Sequence, residues 1–147
     1  MITASIVTYH HHFKDIRKVI ECILSSPVSI LYIIDNSSND RLRELAKISA
    51  KIKYIHSVNL GYGAGHNIAI RESIDIGATY HIVVNPDIYF EEGVIEKLII
   101  YMNKYSEVGL VMPRVLYPNG ELQYLCKLLP TPFDLLFRRF SFHGEDM

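Results

Sequence analysis

The sequence predicts an α/β protein, a mostly parallel sheet with helices on both faces. Three observations predict it. Short apolar, β-branched runs recur along the chain, amphipathic stretches of helical periodicity lie between them, and a polar or glycine-rich segment follows each of the first four runs.

The elements follow in order. ITASIVTY (2–9) is rich in Ile, Val and Thr and predicts a buried strand. FKDIRKVIECILSS (13–26) places Ile16, Val19, Ile20, Ile23 and Leu24 at helical spacing, and Ser25, Ser26 and Pro27 stop it. SILYIID (29–35) predicts a second strand. NDRLRELAKISAKI (39–52) predicts a helix with Leu42, Leu45, Ala46 and Ile48 on one face and Asp40 as its cap. KYIHSV (53–58) is a third strand, and GAGHNIAIRESIDIGA (63–78) a helix loosened at both ends by glycine.

TYHIVVN (79–85) predicts a fourth strand. EEGVIEKLIIYMNKY (91–105) predicts an amphipathic helix with Glu91 and Glu92 at its positive end. VGLVMP (108–113) predicts a fifth strand, and RVLYPNGELQY (114–124) a hairpin turning at Pro118, Asn119 and Gly120.

The chain has 147 residues, enough to bury roughly 70% of its unfolded surface as one domain. Its hydrophobic content of 49%, with 21% charged residues, is that of a globular protein and argues against disorder. With 15 basic and 16 acidic residues the formal charge is −1, which argues against a general nucleic-acid binder. The two cysteines, Cys22 and Cys126, lie far apart without metal-ligand spacing, so a reduced compartment is the default. The start of the chain lacks signal-peptide character, and no apolar run approaches the ~20 residues that span a bilayer. A cytoplasmic location follows as the expectation, with contact to a membrane surface left open.

In an open parallel sheet, ligands bind beyond the carboxyl ends of the strands. That rule brings YHHH (9–12), DNSSND (35–40), NLGYGAGHN (59–67) and NPDIYF (85–90) to one rim. Asp35 closes the second strand, either within a solvated loop or as an acceptor for a nucleobase or ribose. Gly61, Gly63 and Gly65 precede a helix and permit close backbone approach, with Asn67 one turn further on. They form neither a P-loop nor a dinucleotide fingerprint. His10, His11 and His12 are consecutive, so they face different ways and do not converge on one metal ion, although one of them suits a pocket lining. Asp87 has two readings: the cap of the following helix, or a single rigid carboxylate for a divalent cation whose other oxygens come from phosphates and water.

Taken together, SIVTYHHH, ILYIIDNSSND, NLGYGAGHNIAI and VVNPDIYF resemble, in that order, the family 2 glycosyltransferases of the GT-A fold, especially the rhamnosyltransferase-like branch. PNGELQYLCKLLPTPFDLLFRRF resembles the segment that follows there. The resemblance implies a Rossmann-like nucleotide-diphospho-sugar transferase fold. It implies a nucleotide-sugar-binding region over 1–113, and over 114–147 a hairpin and tail that begin the acceptor side.

It implies that Thr8, Tyr9, Asp35, Asn36, Gly61, Gly63, Gly65, Asn67 and Asn85 bind substrate, and that Asp87 holds Mg²⁺ or Mn²⁺. NPD stands where the family carries DxD, with Asn85 in the first acidic position, so one carboxylate remains where two would hold the ion. The implied reaction is inverting transfer of a sugar from a UDP- or dTDP-sugar to a saccharide or lipid-linked acceptor in surface-polysaccharide synthesis. The family's base lies in an ED motif further along. Glu145 and Asp146 spell those letters without the surrounding strand and helix, which reads as truncation. The alternative is a catalytically silent donor-binding or oligomerisation module. A nucleotidyltransferase is disfavoured, for want of a basic glycine-rich loop near the start. The apolar tail around Leu135, Leu136, Phe137, Phe140 and Phe142, beside Arg138 and Arg139, predicts a homodimer or a peripheral membrane contact.

Overall fold

Ile2–Thr8 forms β1, the strand on which the rest is organised. A computed structural model describes residues 1–123. After β1 come α1 (Phe13–Leu24), β2 (Ile30–Asp35), a 3₁₀ helix (Arg41–Lys47) and β3 (Ile52–His56). α2 (Tyr62–Asp75), β4 (Tyr80–Val83) and α3 (Val94–Lys104) complete the described elements. The chain divides into two units, Met1–Val108 and Gly109–Met147.

All three strand pairings are parallel, in the order β3-β2-β1-β4. Alternation sorts the side chains by face. Ala4, Ile6, Leu31 and Ile33 join Ile16, Val19, Ile20 and Ile23 of α1, with Leu42 and Leu45, in the larger core. Val7, Tyr32 and Ile34 point the other way and meet Ala69 of α2. Helices therefore cover both faces, as the apolar runs predict. Ser25 Oγ and Ser26 Oγ donate to the carbonyls of Cys22 and Ile23, at 3.0 and 2.7 Å, and close the end of α1.

Two elements depart from expectation. The segment after β2 is 3₁₀ rather than α, with Ala46 and Ile48 exposed. Only Leu42 and Leu45 are buried there, three residues apart, and that spacing eclipses in a three-residue turn. Asp40 holds the N-cap position as expected, but its carboxylate accepts from Arg43 Nε at 2.7 Å rather than from a backbone N–H of the helix. Residues 108–113 join no ladder among the described residues, and Leu110 is 88% exposed. An apolar run becomes a strand only where its backbone finds a partner. In the second unit, the predicted hairpin is present as the Leu116–Leu122 bridge, with Gly120 N–H donating to Tyr117 O at 2.9 Å.

Candidate functional site

The strand order fixes where a ligand site belongs. From β1 the chain runs outward through β2 to β3, then returns across the sheet to β4 on the other side of β1. The carboxyl ends of β1 and β4 therefore flank the topological switch point, where α/β sheets open a crevice. Register aligns Thr8 with Asp35 and Asp35 with His56, so β1, β2 and β3 end level, while β4 ends at Val83 opposite Ser5.

Four loops leave this edge, and hydrogen bonds join each to the next. His10, held at φ +55°, donates its backbone N–H to Ser37 Oγ at 2.8 Å. Asn36 Nδ2 donates to Gly61 O at 3.3 Å. Tyr62 donates its hydroxyl to Asn85 Oδ1 in a short hydrogen bond. The rim is thus one continuous structure among the described residues.

Its base is Asp35, fully buried. Oδ1 accepts from Thr8 Oγ1 at 3.1 Å, Ser37 N–H at 3.1 Å and Ser37 Oγ at 2.5 Å, while Oδ2 accepts from Tyr54 OH at 2.8 Å. Four donors account for the accepting capacity of a buried carboxylate. Burial, followed by this hydrogen bond and the Asp35 charge, pushes the Tyr54 phenol well above its ordinary value. His56 adds a contact from its Nε2 to Ser37 O at 2.8 Å.

The predicted site residues sort by exposure. Thr8, Asp35 and Asn36 are buried and bonded to their own chain. Tyr9, Gly61, Gly63, Asn67, Asn85 and Asp87 lie on the exposed side of the rim. Gly61 caps α2 at φ +95°, a conformation suited to glycine. Gly65 faces inward instead: a Cβ there would stand 2.8 Å from Val7 Cγ2, so this glycine lets α2 lie directly on β1. The three consecutive histidines go separate ways. His11 Nδ1 accepts from Tyr9 N–H at 3.0 Å, His10 packs edge-on against Tyr9, and His12 N–H donates to Asp15 Oδ2 at 2.9 Å to open α1.

Asp87 sits in a turn in which Ile88 N–H donates to Asn85 O at 3.3 Å. Ile88 and Phe90 pack on the core, and Lys18 Nζ lies 3.2 Å from the centre of the Tyr89 ring, so the turn is anchored on both sides. The helix that follows is capped by Gly93, not by Asp87, which removes the capping reading. Asp87 is exposed and makes no hydrogen bond or ion pair among the described residues. Its charge reaches Tyr62, whose phenol is raised first by burial and then by Asp87.

Sequence reasoning missed Ser37, Tyr54, Tyr62 and His66. Only the position of His66, a polar residue among small and apolar ones directly after Gly65, signalled a buried role. Among the described residues, no three His, Cys, Asp or Glu side chains converge to hold a metal ion, and no helix is long and apolar enough to cross a membrane. Glu145, Asp146, Cys126 and the tail residues Leu135, Leu136, Phe137, Arg138, Arg139, Phe140 and Phe142 lie outside the described residues.

Known proteins bear on this geometry in three ways. The chain is 30% identical over 135 residues to the low-salt glycan biosynthesis hexosyltransferase Agl10 of Haloferax volcanii, a match over 90% of this chain and 42% of that protein. It spans less than half the length of that relative. Its fold is similar to the crystal structure of S. aureus TarS 1-349, with a TM-score of 0.59 and 15% identity, over 71% of this chain and 33% of that one. The sequence profile described as Glycosyl transferase family 2 matches residues 4–143. The linked rim at the carboxyl edge of a parallel α/β sheet and the profile match along nearly the whole chain agree: this protein belongs to glycosyl transferase family 2.

Proposed function

We propose that the rim binds the nucleotide diphosphate of a sugar donor, UDP- or dTDP-linked, for transfer of the sugar with inversion to a saccharide or lipid-linked acceptor hydroxyl. The observation that carries this reading is the chain of hydrogen bonds joining all four loops and ending at Asn85, with Asp87, unpaired among the described residues, two positions further on. Glycan synthesis as the setting rests on the similarity to the hexosyltransferase named above.

The first turn of α2 supports the diphosphate. Its leading N–H groups have no intrahelical acceptor, no acidic side chain stands in that turn, and Gly61 and Gly63 leave open space above the backbone. Asp87 suits a divalent cation, Mg²⁺ or Mn²⁺. It is one exposed carboxylate on a fixed turn, unpaired among the described residues, and such ions take most of their oxygens from phosphate and water. When bound, the cation would offset charge building on the leaving diphosphate. The chain itself orients the donor and keeps the rim from rearranging as that charge develops.

Isothermal titration with UDP and dTDP, with and without Mn²⁺, tests the reading. It expects binding that Mn²⁺ tightens, and Asp87→Ala is expected to remove most of the Mn²⁺ effect while leaving the melting temperature unchanged. Failure of both nucleotides to bind would end it.

A further inference from the structure

Behind the rim, β1 presents Thr3 and Ser5 to α2 where apolar side chains would be expected, and they belong to a buried polar chain. Ser73 Oγ donates to Ala69 O at 2.7 Å, which uses its only proton. His81 Nδ1 lies 2.9 Å from that same Ser73 Oγ and 2.8 Å from Thr3 Oγ1, while Thr3 Oγ1 lies 2.9 Å from Ser73 Oγ. With the Ser73 proton committed, this triangle holds one proton if Nδ1 is bare and two if Nδ1 carries a hydrogen. Two protons leave fewer lone pairs opposed, so His81 is the Nδ1–H tautomer and its Nε2 is an acceptor.

Direction then propagates along the chain. Ser5 Oγ, 2.8 Å from His81 Nε2, must donate to it. Having spent its proton, Ser5 Oγ accepts from His66 Nδ1–H at 2.7 Å. His66 is thereby left with a bare lone pair on Nε2. That nitrogen is buried, on a residue only 3% exposed, and has no partner among the described residues. A buried acceptor without a donor is costly, so its persistence calls for a reason. Burial lowers the affinity of both rings for a further proton, with His81 pushed down to about 4 by burial and then by His66.

We propose that this one-way chain locks His66 as an Nδ1–H tautomer, so that Nε2 accepts a hydrogen bond from a hydroxyl or imide N–H of the nucleotide-sugar donor. The inference rests on the donor-binding reading above and adds a specificity residue to that site. The doubly esterified diphosphate of a sugar nucleotide carries no proton at neutral pH, so it presents only acceptors and cannot satisfy this nitrogen, whereas a nucleoside or sugar can. Tyr62 is the rim residue that packs on this ring: it lies edge-on with centroids 4.4 Å from His66, is 48% exposed, and donates its hydroxyl to exposed Asn85.

The test is ¹⁵N NMR of the histidine-labelled full chain. In the free protein, two-bond correlations should identify His66 as Nδ1–H with a bare Nε2; a protonated Nε2 overturns the inference. Adding UDP should shift the Nε2 resonance if the nucleoside supplies the donor group. A shift with UDP-glucose alone assigns the group to the sugar, and either result supports the proposal. Pyrophosphate methylated once on each phosphorus, which carries no P–OH at neutral pH, should leave Nε2 in place, and a response equal to that of UDP, or none to either nucleotide when calorimetry registers binding, overturns it. Ser5→Ala, which removes the bridge, should weaken whichever of UDP and UDP-glucose first shifts Nε2 about tenfold, as expected for one lost hydrogen bond. Absence of any nucleotide binding would instead defeat the donor-binding reading itself.

Discussion

Asp35 shows why residue identity and residue role separate in this site. A carboxylate at a strand tip suggests a ligand contact, yet its oxygens serve Thr8, Ser37 and Tyr54. Asp35→Ala strips four donors at once and should cost at least about 3 kcal/mol in urea denaturation, against about 1–2 kcal/mol for Tyr54→Phe, which removes one. Equal costs would mean that the other three bonds contribute nothing. His81 makes a prediction of opposite origin. Held neutral below its ordinary value of 6.5, it binds a proton less readily folded than unfolded. Its contribution to stability is complete above about pH 6.5 and is lost as pH falls toward about 4, at no more than about 1.4 kcal/mol per pH unit. Unfolding free energies that stay flat from neutrality to about pH 5 would contradict this. Neither role was legible in the sequence, because both depend on which partners the fold supplies.

At the scale of elements, α1 was readable: Ile16, Val19, Ile20 and Ile23 of the predicted stripe are buried, and Leu24, its last member, is half-buried. The four strands were equally plain, since a parallel sheet buried on both faces requires continuous apolar runs. α2 was harder, because it buries Gly65, His66, Ala69 and Ser73, a face that is small and polar rather than oily. The 3₁₀ helix and the unpaired run at 108–113 misled for a shared reason. Local pattern specifies which residues favour burial, while hydrogen-bond geometry depends on a partner the pattern does not name. The close seat of α2 on β1 is testable. Gly65→Ala should destabilise the protein by about 1–3 kcal/mol through overpacking against Val7, and Val7→Ala in the same chain should recover part of that loss. A neutral Gly65→Ala would show that α2 can lift without cost.

For the molecule as a whole, strand order converts four unrelated segments into one rim. Their polar and glycine-rich character was visible in the sequence, and so was their order. The bonds that stitch them, from His10 to Ser37, Asn36 to Gly61 and Tyr62 to Asn85, were not, because two of the three use backbone atoms that carry no side-chain signature. The central claim is that this rim acts as a single nucleotide-diphosphate site. Amide chemical-shift mapping of the labelled chain with UDP and Mn²⁺ replaced by diamagnetic Mg²⁺ tests it most directly. The account predicts coordinated shifts in residues 9–12, 35–40, 59–67 and 85–90, which saturate together. Shifts confined to other parts of the fold, with the Asp87 turn unmoved, would contradict it.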